Sequence, residues 1–336
     1  MRSAGSTQTV SSYYPNLGYA PRKDAPVGDR RAVVLHHGHF VESMYKAMTY
    51  VLAALMAKPM PPMTAEGLET ANGSWIDFGW SVLGVDGQVG TEVSLAERLL
   101  LTGGGAHAFQ QHLSKLLAEW AQKTLPFPHS HSISQGIDML SHGFIDSIVG
   151  GFSQLERYGY TEHLGLASQR GLRDYIAQVV KTQMEEELGP DGQPDHTTFI
   201  FGHTHKPFSD QIVVPGFKRP VSVYNTGGWV VDTSLLSTVE GASVVLMDEH
   251  YNTAALQIYQ MPDGHEIQCA HVSSADPRPD AENPLVQALT KAVEATHPAW
   301  HEFRNTVITE LDRKQEMYLT LGEQADEKYQ PLRRAP

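Results

Sequence analysis

Residues 199–207 read FIFGHTHKP: an apolar run ends in a glycine, two histidines one residue apart, and Lys-Pro. On a strand, alternate side chains face opposite ways. Just past a strand, in a glycine-led turn, His203 and His205 can converge. Neutral imidazole is the commonest protein ligand for zinc-like ions, and Gly202 lets the backbone turn tightly. Two further segments have the same character. LHHGHF, at 35–40, follows the apolar run Ala32 to Leu35, and YNTGGWV spans 224–230. The chemistry on offer is metal binding at strand ends.

The elements that must position these residues follow from periodicity. Ala32 to Leu35 predicts a short buried strand. From about 43 to 188 the pattern is helical. Ser94 and Glu97 form a capping box, and the helix they start ends at Gly103-Gly104-Gly105. Phe109, Leu113, Leu116, Leu117 and Trp120 mark one helix face, and Ile137, Leu140, Phe144 and Ile148 a second. Leu172, Tyr175, Ile176 and Val179 mark a third, stopped by Gly189 and Pro190. The period then changes to strands, over 197–201, 221–225, 242–248 and 254–260. Residues 276–284 read as a linker. Asn283-Pro284 starts a helix with Leu285, Leu289 and Val293 on one face. Pro298 opens a last helix bearing Trp300, Phe303, Val307 and Leu311, which is predicted to stop near Gly322. The strands before and after the helical block can be sheet neighbours, which makes the block an insertion, a cap.

Length and composition bound the function. At 336 residues the chain is one large or two modest domains. A net charge of −13 carries no nucleic-acid-binding signature. The single cysteine, Cys269, excludes an internal disulfide framework, fits a reducing compartment and reads as an inert thiol. The first 30 residues show no secretory signal. The apolar stretch Met44 to Met56 falls short of the ~18 residues that cross a bilayer. A cytoplasmic protein is expected, soluble or peripheral to a membrane.

In order and at strand ends, HG (His37-Gly38), GHTH (202–205) and NTGGW (225–229) resemble the C-terminal half of the calcineurin-like metallophosphoesterase family. The segments that carry this resemblance, LHHGHF, FIFGHTHKP and YNTGGWV, span 22 of the 336 residues. The resemblance implies an α/β fold with a partial metallophosphoesterase-type β-sandwich core at 31–43 and 196–262. Residues 1–30 are then a tail or loop, 44–195 a large helical cap insertion, 263–282 a linker and 283–336 a C-terminal helical tail. It implies that His37 and His203 bind one of two divalent ions, of Mn, Fe or Zn type, and that His205 binds the other. Two such ions ~3.5–4 Å apart clamp a phosphate and activate a water.

The departures from the family pattern are specific. Its Asp-x-His, GD and GNH-[DE] segments do not precede His37, and no GNH or GD-x-x-D occurs downstream. Asp248-x-His250 has the form of the first of these but reads as a polar hairpin turn. His36 is expected to face away from His37 and pack. His39 reads either as a donor behind the ligands or as a catalytic group touching the leaving phosphate. Asn225 and Thr226 are expected to fix the turn beside the metals. PHSHS, at 128–132, reads as a solvated loop, the glycines at 103–105 form no phosphate cradle, and MEEEL is a charged helix face.

The expected function is metal-dependent phosphoester hydrolysis, with this chain carrying only the C-terminal part of the dinuclear site and inactive or nearly so alone. A truncated product, a misplaced start or a partner chain supplying the missing segments each accounts for that. The alternative is a degenerate, non-catalytic phosphoesterase-like module that binds a partner. A single-zinc structural protein lacks the close-spaced four-ligand pattern. The methionine-rich stretch Met44 to Met63, with Leu52, Leu55 and Met56, reads either as a buried cap helix or as an apolar rim. Such a rim would accept a lipid-linked phosphoester or touch a membrane.

Overall fold

A computed structural model describes residues 17–19, 26, 28–41, 43–46, 49, 63–73, 162–189, 193–228, 236, 238–262, 264 and 266–333. The predicted helices around 94–148, the glycines at 103–105, PHSHS, Trp229, and Leu52, Leu55 and Met56 lie outside the described residues. The chain forms two compact units. One comprises Met1–Gly38, Tyr160–His163 and Met184–Pro336, and the other His39–Gly159 and Leu164–Gln183.

The first unit is built on two sheets. Strands β1 (Leu17–Tyr19), β2 (Arg31–Leu35), β3 (His196–Phe201), β4 (Phe208–Ile212) and β5 (Val221–Asn225) form a sheet in the order β1-β2-β3-β5-β4. Strands β2, β3 and β5 are adjacent and parallel. Arg31 pairs with His196 and Leu35 with Ile200; Thr198 pairs with Ser222 and Phe201 with Asn225. Parallel strands covered on both faces read as continuous apolar runs rather than alternating ones. Accordingly β5 is buried throughout and β3 at all but its first residue. The antiparallel edge strand β4 is half exposed.

The second sheet is the antiparallel meander of β6 (Gly241–Met247), β7 (Thr253–Gln260) and β8 (Gln268–Ser273). Val33, Ile200 and Tyr224 of the first sheet share a core with Ala255 and Ala275, flanked by Val245 and Met247. The sheets are therefore packed face to face. Helices α4 (Pro284–Ala295) and α5 (His297–Arg333) follow, and Trp300, Phe303, Val307 and Leu311 of α5 pack with Ile258 and Tyr259 of β7. Asn283 caps α4 as expected, its side chain accepting from the amides of Leu285 and Val286.

In the second unit, short 3₁₀ turns at His39–Val41 and Ser43–Lys46 precede helix α1 (65–73). Helix α2 (Leu166–Tyr175) continues through a π-helical turn, Ile176–Val180, into α3 (Lys181–Leu188), whose last residues belong to the first unit. Leu172, Tyr175, Ile176 and Val179 are all buried, as their spacing implied. Gly171 lies so close to the Val41 carbonyl that a Cβ there would stand 2.0 Å from its oxygen.

Three stretches differ from the sequence reading. The N-terminal tail holds β1, which pairs with β2 from Leu17↔Leu35 to Tyr19↔Val33. The stretch read as a linker contains β8 and is then clamped. Asp276 takes a bidentate contact from Arg278 (2.8 and 2.6 Å), whose guanidinium also reaches Asn252 at 2.7 Å. Burial alone would raise the Asp276 carboxyl, but the Arg278 hydrogen bonds prevail and hold it below its ordinary value. The last helix passes through Gly322 to Arg333. One interior glycine costs about 1 kcal/mol, which a helix of this length absorbs.

Candidate metal centre

The parallel order sets the carboxyl ends of β2, β3 and β5 side by side, the usual ligand edge of such sheets. Backbone pairing continues beyond the strands. The amide of His36 donates to Ile200 O at 3.0 Å, that of Gly202 to His37 O at 3.1 Å, and that of Thr226 to Phe201 O at 2.9 Å. The HG, GHTH and NTG segments are thus stitched to one another. His37 and His203 stand with ring centroids 5.1 Å apart and planes at 67°. Burial, then the neighbouring His203 and His205, lower the pKa of His37 to about 4. At neutral pH its imidazole is uncharged, the form that ligates a metal.

The GHTH turn is strained. His203 and His205 adopt φ of 72° and 60°, the left-handed region, which costs a residue with a Cβ about 1–2 kcal/mol. Strain of this kind persists only where the surroundings over-determine it. Here Asn225 does much of the holding. Its Nδ2 donates to Gly202 O (3.2 Å) and to the buried Thr204 Oγ1 (2.7 Å), while its Oδ1 accepts from the Gly227 amide (2.8 Å). Thr226 is fixed on its other side by the Ser243 amide, which donates to its carbonyl at 2.8 Å. Asn225 thus fixes the turn as expected, whereas Thr226 ties its segment to Phe201 and Ser243. Two glycines make room: a Cβ on Gly38 (φ 99°) would meet the Phe201 ring at 2.6 Å, and one on Gly228 the His205 ring at 2.8 Å.

The other histidines separate by environment. His36 is buried, edge-on to Phe199 at 5.4 Å. His39 begins the second unit, where its Nε2 lies 3.4 Å from Glu69 Oε1 of α1 and its ring is 3.9 Å from that of Phe40. Asp248 is occupied by a turn: it accepts from the amides of His250 (2.8 Å) and Asn252 (2.9 Å) and from Asn252 Nδ2 (2.6 Å).

Two residues escaped sequence reading. Lys206 is fully buried beside His205, and its ammonium donates to the carbonyl of Glu162 at 3.0 Å. His163 lies 5.8 Å from the Phe208 ring; burial and then Lys206 lower its pKa, against the pull of Asp210. No local signal links 162–163 to the GHTH turn.

Two divalent ions about 4 Å apart repel by roughly 16 kcal/mol at an effective dielectric of about 20, which bridging carboxylates ordinarily offset. Among the described residues no group of three or more His, Cys, Asp or Glu side chains could hold an ion. Among the described residues His37 and His203 are paired, His205 acts electrostatically on His37, and no carboxylate completes a group of three donors. The described donors do not fit a bridged pair of ions. No described helix is long and apolar enough to cross a membrane. Compared with protein-family models, curated proteins and solved structures, the chain gives no match.

Proposed function

We propose that this chain is a metal-dependent phosphoester hydrolase of the calcineurin-like metallophosphoesterase type, carrying the C-terminal part of its metal site. One observation carries the reading: His37 and His203, 166 positions apart in sequence, meet at 5.1 Å beyond adjacent parallel strands. The face-to-face sheets and the strained GHTH turn support it. A bound ion would polarise a phosphoryl oxygen and acidify a water. The chain's own part is to hold uncharged His37 beside His203 and to lock the turn through Asn225. The expected substrate is a phosphoester, with Mn, Fe or Zn as the metal class.

The test is phosphate binding. With Zn or Mn supplied, orthophosphate is expected to bind, read by ³¹P line broadening, and His203→Ala to abolish it. Turnover of a model phosphodiester by the isolated chain should stay near background. Absence of metal-dependent phosphate binding would overturn the reading. The lack, among the described residues, of a carboxylate grouped with the pair favours a second reading, a non-catalytic module. A native complex purified from its own cells that binds phosphate and never turns over a diester would support it.

A further inference from the structure

We propose that Glu162 and His163 form a strap that holds the GHTH turn in its left-handed form, with Lys206 as the positioning residue that joins them. Pulling the strap away relaxes the turn. Glu162 and His163 fall in the first unit, although the chain on either side, up to Gly159 and from Leu164, falls in the second. A rearrangement of the inserted block therefore reaches the turn along the chain itself. The purpose of the turn rests on the phosphoester reading above, whereas the coupling rests on the contacts around Lys206.

Two contacts bracket the turn. After it, the Lys206 ammonium donates to the Glu162 carbonyl at 3.0 Å, and the residue is 0 % exposed. Before it, the His163 ring lies 5.8 Å from Phe208 of β4, which stands edge-on at 5.9 Å to Phe201, the last residue of β3. Taking an ammonium out of water is costly unless hydrogen bonds meet it, and a side chain needed only for packing would carry no charge. The backbone leaves Lys206 little choice of direction. On one side stands His205 at a φ of 60°. On the other, Pro207 is wedged against Gly227, where an added Cβ would come within 2.7 Å of the proline ring. With the strap gone, the ammonium either stays buried without the Glu162 carbonyl or turns out to water. Turning out rotates the backbone beside His205, whose left-handed conformation survives only while its surroundings over-determine it.

The experiment is hydrogen exchange on the full, metal-free chain, read by mass spectrometry over peptides covering 162–168, 202–208 and β7. Glu162→Gly/His163→Gly loosens the strap and changes no residue of the turn. Lys206→Met keeps a similar length and removes the charge. Each variant should speed exchange about tenfold in both 162–168 and 202–208, a usual size for coupling between sites, with β7 unchanged. By NMR, the Cα and Cβ shifts of His203 and His205 should leave their left-handed values in both variants, and Lys206→Arg, which restores a charged donor, should return them. Faster exchange in β7 as well, with those shifts in place, would mark Lys206 as a source of stability alone and overturn the proposal. Unchanged exchange over 202–208 in the double-glycine variant would also overturn it, as would a change confined to 202–208 in Lys206→Met. Should Lys206→Met fail to fold, the double-glycine variant decides alone. Each of these failures leaves the phosphoesterase reading standing. Absence of Zn-dependent orthophosphate binding in wild type would sink that reading and leave the strap in place, since the exchange readout needs no metal.

Discussion

Tyr224 shows how a single side chain joins the sheets. It is fully buried, and its hydroxyl meets Thr253 O (3.3 Å), Thr253 Oγ1 (3.1 Å) and Ser274 Oγ (3.1 Å) while accepting from the Ala275 amide at 2.8 Å. Removing that oxygen leaves the Ala275 amide without its acceptor, and an unsatisfied buried donor costs about 1–3 kcal/mol. Tyr224→Phe is expected to lower the urea midpoint accordingly, with the m-value unchanged; a neutral result would show that the cluster rearranges. The strand-end histidines were legible at this scale because polar residues interrupt apolar runs where strands end. Lys206 was not, because its partner is a backbone carbonyl 44 positions away, and a carbonyl leaves no trace in residue type.

At the scale of elements, the entrances of the parallel strands are tied by Asp195. Its carboxylate takes Lys218 at 2.9 Å and the amides of Gly28 (2.8 Å) and Arg30 (3.1 Å). The Lys218 hydrogen bond first, then these amides, lower its pKa to about 2 against the effect of burial. A folded-state value below the unfolded one means the stabilisation is present above about pH 4 and lost as pH falls toward 2. The difference in unfolding free energy between wild type and Asp195→Asn should shrink over that window. A difference that stays constant would remove the assignment. In the second unit, Gly171→Ala would drive a methyl into the Val41 carbonyl. The resulting backbone shift is expected to cost about 1–3 kcal/mol, measured by calorimetry against Gly73→Ala, where the added methyl meets nothing. Strands covered on both faces were legible as apolar runs. The half-exposed β4 and β8 were not, since their mixed sequences satisfy no single period.

At the scale of the whole molecule, the sequence reads as one core interrupted by a long block and then resumed. The two compact units have that chain order. It did not show that the stretch after β7 is part of the core, because Asp276 and Arg278 look like linker residues until Asn252 is seen beside them. One consequence reaches into synthesis. Strand β2 ends at Leu35, and its parallel partner β3 begins at His196. At ~5–20 residues per second a ribosome needs roughly 8–32 s to make the intervening chain. For that interval one edge of an apolar strand waits without its native partner, and His37 without His203. The pairing of His37 with His203 is completed only after most of the protein has been made.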